Sequence, residues 1–233
     1  MTGYEKMFNF FDHIQCLTQK ERKDRQFDFE RECAKYGIIG TYYYAEPSDL
    51  EDGARFDSFC RSQIGMLKRF LEGNGNNFLA LEDDVSFNGI NNLSKAVYQL
   101  PMDWDLLYLG ANIIGTDTFR FPQPEQIGDH LFKIYGAWTT HAVGYTRKSA
   151  ELIVENYHSW KESGMYDDWL SRVFIPNHKC YIVYPMVAVQ RPVKSDLWNK
   201  HVDYTGCFEQ GNRLMYEISL QNEQMKLMEV KQW

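Results

Sequence analysis

Two kinds of apolar pattern alternate along the first part of the chain. DHIQCLT reads as a short strand, and Thr18 with Glu21 forms a T-x-x-E capping box that predicts a helix start. Phe29, Cys33 and Tyr36 then recur at helical spacing, with Gly37 as the stop. IIGTYYY is rich in β-formers and predicts a second strand. Over residues 54–72, Phe56, Phe59, Cys60, Ile64, Leu67, Phe70 and Leu71 define one helix face. GNGNN breaks the chain, and FLALEDDV reads as a buried strand ending in Glu82, Asp83 and Asp84. Strand, helix, strand, helix, strand predicts an α/β fold with a mostly parallel central sheet flanked by helices.

The remainder is less regular. Ile90, Leu93, Val97 and Leu100 predict a helix ended by Pro101, and DWDLLYLG a strand. Residues 111–129 read as a long loop, a size that often accompanies function. HLFKIYGAW, HAVGYTR and CYIVYP read as strands, residues 148–160 as a helix, and DDWLSRVF as a short helix opened by two aspartates. The pattern divides the chain into a domain over 1–203 and a helical extension over 204–233, packed on the domain or used to form a homodimer.

Composition narrows the classes. The 233 residues are 44% hydrophobic and 15% aromatic, a globular balance with room for a sizeable core. A formal charge of -7 argues against broad attraction to nucleic acid or acidic membranes. No apolar stretch approaches the roughly 20 residues of a membrane span. The five cysteines are scattered, with no C-x-x-C pair, which predicts reduced thiols and a cytoplasmic protein. P-loop, G-x-S-x-G, H-E-x-x-H and G-x-G-x-x-G patterns are absent, which weakens kinase, hydrolase, zinc-protease and dehydrogenase readings.

The chemistry concentrates in carboxylates. In open α/β sheets ligands gather at the carboxyl ends of strands, where Glu82, Asp83 and Asp84 are expected. Either a hard cation such as Mg²⁺ or Mn²⁺ relieves their repulsion, or they form a charged turn paired with lysines. Asp167 and Asp168 either cap the helix they open or accept a proton from a hydroxyl. Arg22 and Arg25 follow the first strand, where they face a nucleotide diphosphate or simply solvent. RPVKSDLWNKH reads as an irregular segment, a flap closing on phosphates or an exposed loop. His141 is expected as a hydrogen-bonded core residue. Trp138, Trp169 and Trp198 serve either as a sugar-stacking platform or as packing.

IQCLTQKERKDR, SQIGMLKRFLEG, FLALEDDVSF, LPMDWDLLYLG, THAVGYTRKSAELIV, DDWL and YPMVAVQRPVKSD, in that order, resemble the GT-A type glycosyltransferases of family 25, which glycosylate lipopolysaccharide and collagen. The family's Ser-His pair on the second helix stands here as Ser62-Gln63. The resemblance implies a Rossmann-like GT-A fold and a metal-dependent, inverting, hexosyltransferase-type enzyme. Its donor would be a nucleotide-diphosphate sugar, UDP-linked by expectation, and its acceptor a hydroxyl of a glycan. By the same resemblance Asp84 is the direct Mn²⁺ or Mg²⁺ ligand, with Glu82 and His201 as further candidates. Thr18, Arg22, Arg25, Glu82, Asp83, Lys194 and Ser195 would bind the donor. Asp168 would be the general base, with Asp167 as the alternative. Compact relatives in viruses leave open a viral enzyme, working in the host cytoplasm on a hydroxymethylated DNA base. A non-catalytic nucleotide-sugar-binding module and a metal-dependent phosphohydrolase or nuclease are the remaining alternatives.

Overall fold

The computed structural model describes residues 8–45, 52–156 and 165–230. An eight-stranded sheet forms the centre, in the order β2-β1-β3-β8-β5-β9-β7-β6. Its strands are β1 (His13–Thr18), β2 (Thr41–Tyr44), β3 (Asn77–Glu82), β5 (Leu106–Tyr108), β6 (Glu125–Gly128), β7 (Leu131–Lys133), β8 (Ala142–Thr146) and β9 (Cys180–Val183). All but β7 and β8 run the same way. β1 pairs in parallel with β2 and β3, β5 with β9, and β8 lies antiparallel between β3 and β5.

The helices follow from the same patterning. α1 (Lys23–Ala34) and α3 (Asn91–Gln99) cover one face, and α2 (Asp52–Leu71) and α4 (Arg147–Glu155) the other. Within β3 the alternation is visible residue by residue. Phe78 and Ala80 join the α2/α4 core, while Leu79 and Leu81 join the α1/α3 core. Burial on both faces explains why FLAL is a continuous apolar run. At roughly 1.5–3 kcal/mol per fully buried large apolar side chain, these two layers supply most of the folding drive.

Several expectations change. The T-x-x-E pattern is not a capping box: Thr18 ends β1, and α1 begins after Arg22 without a side-chain cap. Thr18 turns its hydroxyl to Asp83, which removes it from the helix entry. The 111–129 loop carries β6 at its end and is pinned by bridges Asn112–Trp138 and Gly115–Arg120. Gly115 has φ +94, and a Cβ there would meet the Phe119 carbonyl oxygen at 2.1 Å, so this turn requires glycine. The segment expected to be irregular forms a hairpin of β11 (Val193–Ser195) and β12 (Lys200–Val202). A further small pair joins β4 (Val85–Phe87) to β10 (Ala188–Gln190). DDWLSRVF starts as α5 (Tyr166–Trp169) and continues through a π turn (Leu170–Phe174). α4 ends at Glu155, and the expected helix positions 157–160 lie outside the described residues.

α6 (Thr205–Val230) sets its first half into the α2/α4 core through Phe208 and Met215, and Asn212 Oδ1 accepts from the Met186 N–H at 2.8 Å. Its later residues, with Tyr216, Leu220, Met225, Leu227 and Met228, are exposed. All five cysteines are free thiols. Among the described residues no helix is long and apolar enough to cross a membrane.

Candidate functional site

β1 and β3 run in parallel, so Thr18 and Glu82 emerge at the same edge of the sheet. β8 runs against them, so the residues that precede it, Trp138, Thr139 and Thr140, arrive at that edge too. Around this edge opens a cleft of about 1300 Å³, also lined by Arg25, Asp83, Asp84, Asp167, Asp168, Gln190, Lys194 and Ser195.

Asp83 is held on both oxygens. Thr18 Oγ1 donates to Oδ2 at 2.6 Å and Arg25 Nη1 to Oδ1 at 2.9 Å. Asp83 is buried and the Arg25 side chain is 12% exposed, so this pair is largely shielded from water and salt. Asp84 accepts from Gln190 Nε2 at 2.9 Å on Oδ2, while its Oδ1 is buried and has no hydrogen-bond partner. Arg191 secures the turn from behind, its N–H donating to the Asp84 carbonyl at 2.8 Å and its Nη2 to the Asp83 carbonyl at 2.7 Å. Glu82 accepts from Thr140 Oγ1 at 2.8 Å.

This crowding carries an electrostatic cost. Burial pushes the Glu82 carboxyl well above the usual carboxylate range, and the Asp84 charge raises it further against the Thr140 bond. Burial likewise raises Asp84, opposed by the Gln190 bond and reinforced by Asp83. A positive charge in the cleft would relieve both. Among the described residues no three His, Cys, Asp or Glu side chains are arranged to hold an ion by themselves. The unpartnered Asp84 oxygen fits instead a hard cation that takes one protein ligand and completes its shell with phosphate oxygens and water.

Asp167 and Asp168 take different environments. Asp168 accepts from Trp138 Nε1 at 3.2 Å and from Arg172 Nε at 2.8 Å. Asp167 accepts from the Thr139 N–H at a long 3.4 Å, and backbone N–H groups at its own helix start add to this. Burial raises the Asp167 carboxyl above its ordinary value. Thr139 itself has φ +72, a left-handed conformation that a β-branched residue rarely adopts. Its Oγ1 is buried without a partner, so strain and an unmet hydroxyl both sit in the cleft wall.

The remaining expected residues divide. Lys194 and Ser195 reach the cleft on the β11–β12 hairpin, which Arg25 Nη2 ties down through the Lys194 carbonyl. Arg22 does not line the cleft; it pairs with Asp196 and Asp24, holding the hairpin from outside. His201 is exposed on β12, opposite Lys194, and also lies off the cleft wall. Trp169 is core, Trp138 is wall, and Trp198 is rim, edge-on to Phe56 at 5.1 Å. His141 is buried, and both ring nitrogens fall short of hydrogen-bond geometry, contrary to the expected bonded core residue. Ser62 lines the cleft wall on α2 and donates to the Ser58 carbonyl at 2.7 Å, whereas Gln63 is buried away from it.

Sequence reasoning missed Thr140 and Gln190 as supports of the carboxylate turn, and it placed Arg191 in a flap or exposed loop where the structure binds it to the turn carbonyls. QRP in YPMVAVQRPVKSD was the available signal, a polar pair ending an apolar run.

No family model and no curated protein matches the chain. Solved structures align over much of it at low identity. One is a glycosyltransferase involved in glycosylation of the major capsid of PBCV-1, 14% identical, with a TM-score of 0.41, covering 73% of this chain and 81% of that one. Another is a 4-diphosphocytidyl-2C-methyl-D-erythritol synthase from Anaerococcus prevotii, 15% identical, TM-score 0.40, covering 91% and 89%. A Drosophila β-1,4-galactosyltransferase 7 in complex with manganese, UDP-galactose and xylobiose is 9% identical, TM-score 0.33, covering 66% and 63%. These similarities include glycosyltransferases and nucleotidyltransferases, and nothing in them singles out family 25.

Proposed function

We propose that the protein is an inverting glycosyltransferase that moves a sugar from a nucleotide-diphosphate donor, UDP-linked by preference, to a hydroxyl acceptor. The supporting observation is the asymmetry of the acidic turn. Asp83 is engaged on both oxygens by Thr18 and Arg25, while Asp84, which lines the same cleft, has a buried oxygen without a hydrogen-bond partner. A saturated carboxylate beside an open one suits a structural anchor beside an ion ligand. Asp84 would hold a divalent cation such as Mn²⁺ or Mg²⁺, whose chemistry when bound is to neutralise a diphosphate leaving group.

The other residues take roles from their positions. Asp83, held by Thr18 and Arg25, anchors the turn on the donor side, and Lys194 and Ser195 cover the diphosphate from the hairpin. Asp167 is the better general base of the two adjacent aspartates. Its raised carboxyl is held through backbone N–H groups and is left free to take a proton from the acceptor hydroxyl, whereas the Arg172 cation and Trp138 occupy Asp168. Asp168 then positions Trp138 and Arg172 on the acceptor side.

Calorimetry with UDP in the presence and absence of Mn²⁺ tests the donor half. Metal-linked UDP binding that disappears in Asp84→Ala is the expected result. No metal-linked binding of any common nucleotide diphosphate overturns the reading, and so does release of free phosphate without sugar transfer.

A further inference from the structure

A second hollow, of about 530 Å³, lies beyond the wall formed by Trp138 and Arg172. Its volume falls within the usual range for small-molecule sites. Phe119, Phe121, Gln123, Tyr135 and Arg172 line it. The hollow shares structure with the cleft. Trp138 lines the cleft, and its ring meets Phe121 at 4.9 Å and Phe119 at 5.6 Å. Arg172 lies over the Phe119 ring, 4.8 Å from its centroid, while its Nε binds Asp168. One continuous row therefore runs from the cleft carboxylate Asp168, through Trp138 and Arg172, to the Phe119 ring.

We propose that this hollow is the acceptor subsite for a second sugar unit, so the acceptor is an oligosaccharide of at least two residues. The inference rests on the glycosyltransferase reading of the neighbouring cleft. A pyranose has an apolar face of C–H groups, which packs on the negative face of an aromatic ring, and a rim of hydroxyls. The hollow supplies both partners. Phe119 and Phe121 give the apolar wall, and the Gln123 amide and the Nη groups of Arg172 give donors at its edge. The Arg172 charge is already balanced by Asp168, so the site suits a neutral glycan. Tyr135, whose hydroxyl donates to Glu125 Oε2 at 2.8 Å, also lines the hollow.

The test uses the full chain with UDP and Mn²⁺ on a panel of immobilised neutral glycans from mono- to tetrasaccharides, beside an immobilised random-peptide panel. Wild type is expected to bind at least one oligosaccharide and to bind its terminal monosaccharide weakly or not at all. Phe119→Ala should weaken that binding about tenfold, the scale of one lost aromatic contact. Gln123→Ala, an exposed change that leaves folding intact, should weaken it measurably, with UDP binding unchanged in both variants. Binding of no glycan, equal binding of mono- and oligosaccharide, retention in both variants, or binding of peptides alone overturns the proposal. Two outcomes separate the readings: Asp84→Ala should lose metal-linked UDP binding and keep glycan binding, and wild type that binds the oligosaccharide without metal-linked UDP binding keeps the hollow and removes the donor site.

Discussion

Arg25 reaches from α1 to Asp83 in the acidic turn, Nη1 to Oδ1 at 2.9 Å, 58 residues apart in sequence. The Asp83 side chain is buried and that of Arg25 largely so, which leaves the carboxylate little solvent to fall back on. Replacing Arg25 with Ala leaves Asp83 with Thr18 alone. Breaking a buried pair from one side costs about 3–5 kcal/mol. Chemical denaturation of Arg25→Ala should show a loss of that order, and UDP binding should fall with it. A loss below about 1 kcal/mol would mean that water reaches Asp83.

Asp84→Ala removes a carboxylate that burial disfavours, so the unliganded protein is expected to keep or gain stability. Its loss appears only with ligand. Wild type at a hundredfold excess of UDP and Mn²⁺ over the dissociation constant gains about 2.7 kcal/mol, and the variant should gain none of the metal-linked part. Thermal shift with UDP, with Mn²⁺ and with both reads this directly.

Asp167→Asn keeps the size of the side chain and removes the basic oxygen. Transfer should fall by about 10²–10⁴ with donor affinity within a few-fold of wild type. Asp168→Asn should cost less in turnover and more in acceptor KM, because it loosens Trp138 and Arg172. The opposite ranking in steady-state kinetics would return the base to Asp168.

Much of this arrangement was legible in the chain. The continuous apolar run FLAL and the helical spacing of Phe59, Ile64, Leu67 and Phe70 are local signals, and they placed β3, α2 and the acidic turn. Thr18 shows the limit. Its local pattern matches a cap, yet Asp83, distant in sequence, claims the hydroxyl. The β11–β12 hairpin was hidden for a related reason: Arg22, Arg25 and Phe56 hold it, and its own residues carry weak strand preference. Thr139 could not have been foreseen at φ +72, since a β-branched residue argues against that conformation.

His141 makes stability depend on acid. Burial lowers the imidazole to about 4, below its ordinary 6.5, with the Ala188 carbonyl nearby only partly opposing this. Between those values the unfolded chain binds the proton and the folded one does not, so stability falls as pH drops through the window. The full effect is about 3 kcal/mol. Glu82, Asp84 and Asp167 have raised values and act in the opposite sense, so net stability alone is uninformative. The difference between wild type and His141→Phe isolates the histidine: in urea melts, it should shift in favour of the variant from pH 7.5 to pH 4.5. A difference that is constant with pH would show that His141 carries a proton partner when folded.

The placement of β8 between β3 and β5 has a consequence for how the site comes into being. Glu82, Asp83 and Asp84 are made early on the ribosome, beside a β1 already present. The Thr140 hydroxyl that holds Glu82 follows 58 residues later, and the Gln190 amide that holds Asp84 follows 106 residues later. Contacts of that separation must overcome loop closure before they contribute, so they form late. A nascent or truncated chain ending before β10 carries the whole acidic turn without the Gln190 amide that holds Asp84. Under the proposed function, nucleotide binding would serve as a quality mark for the finished molecule, silent in every intermediate that lacks the chain from β10 onward.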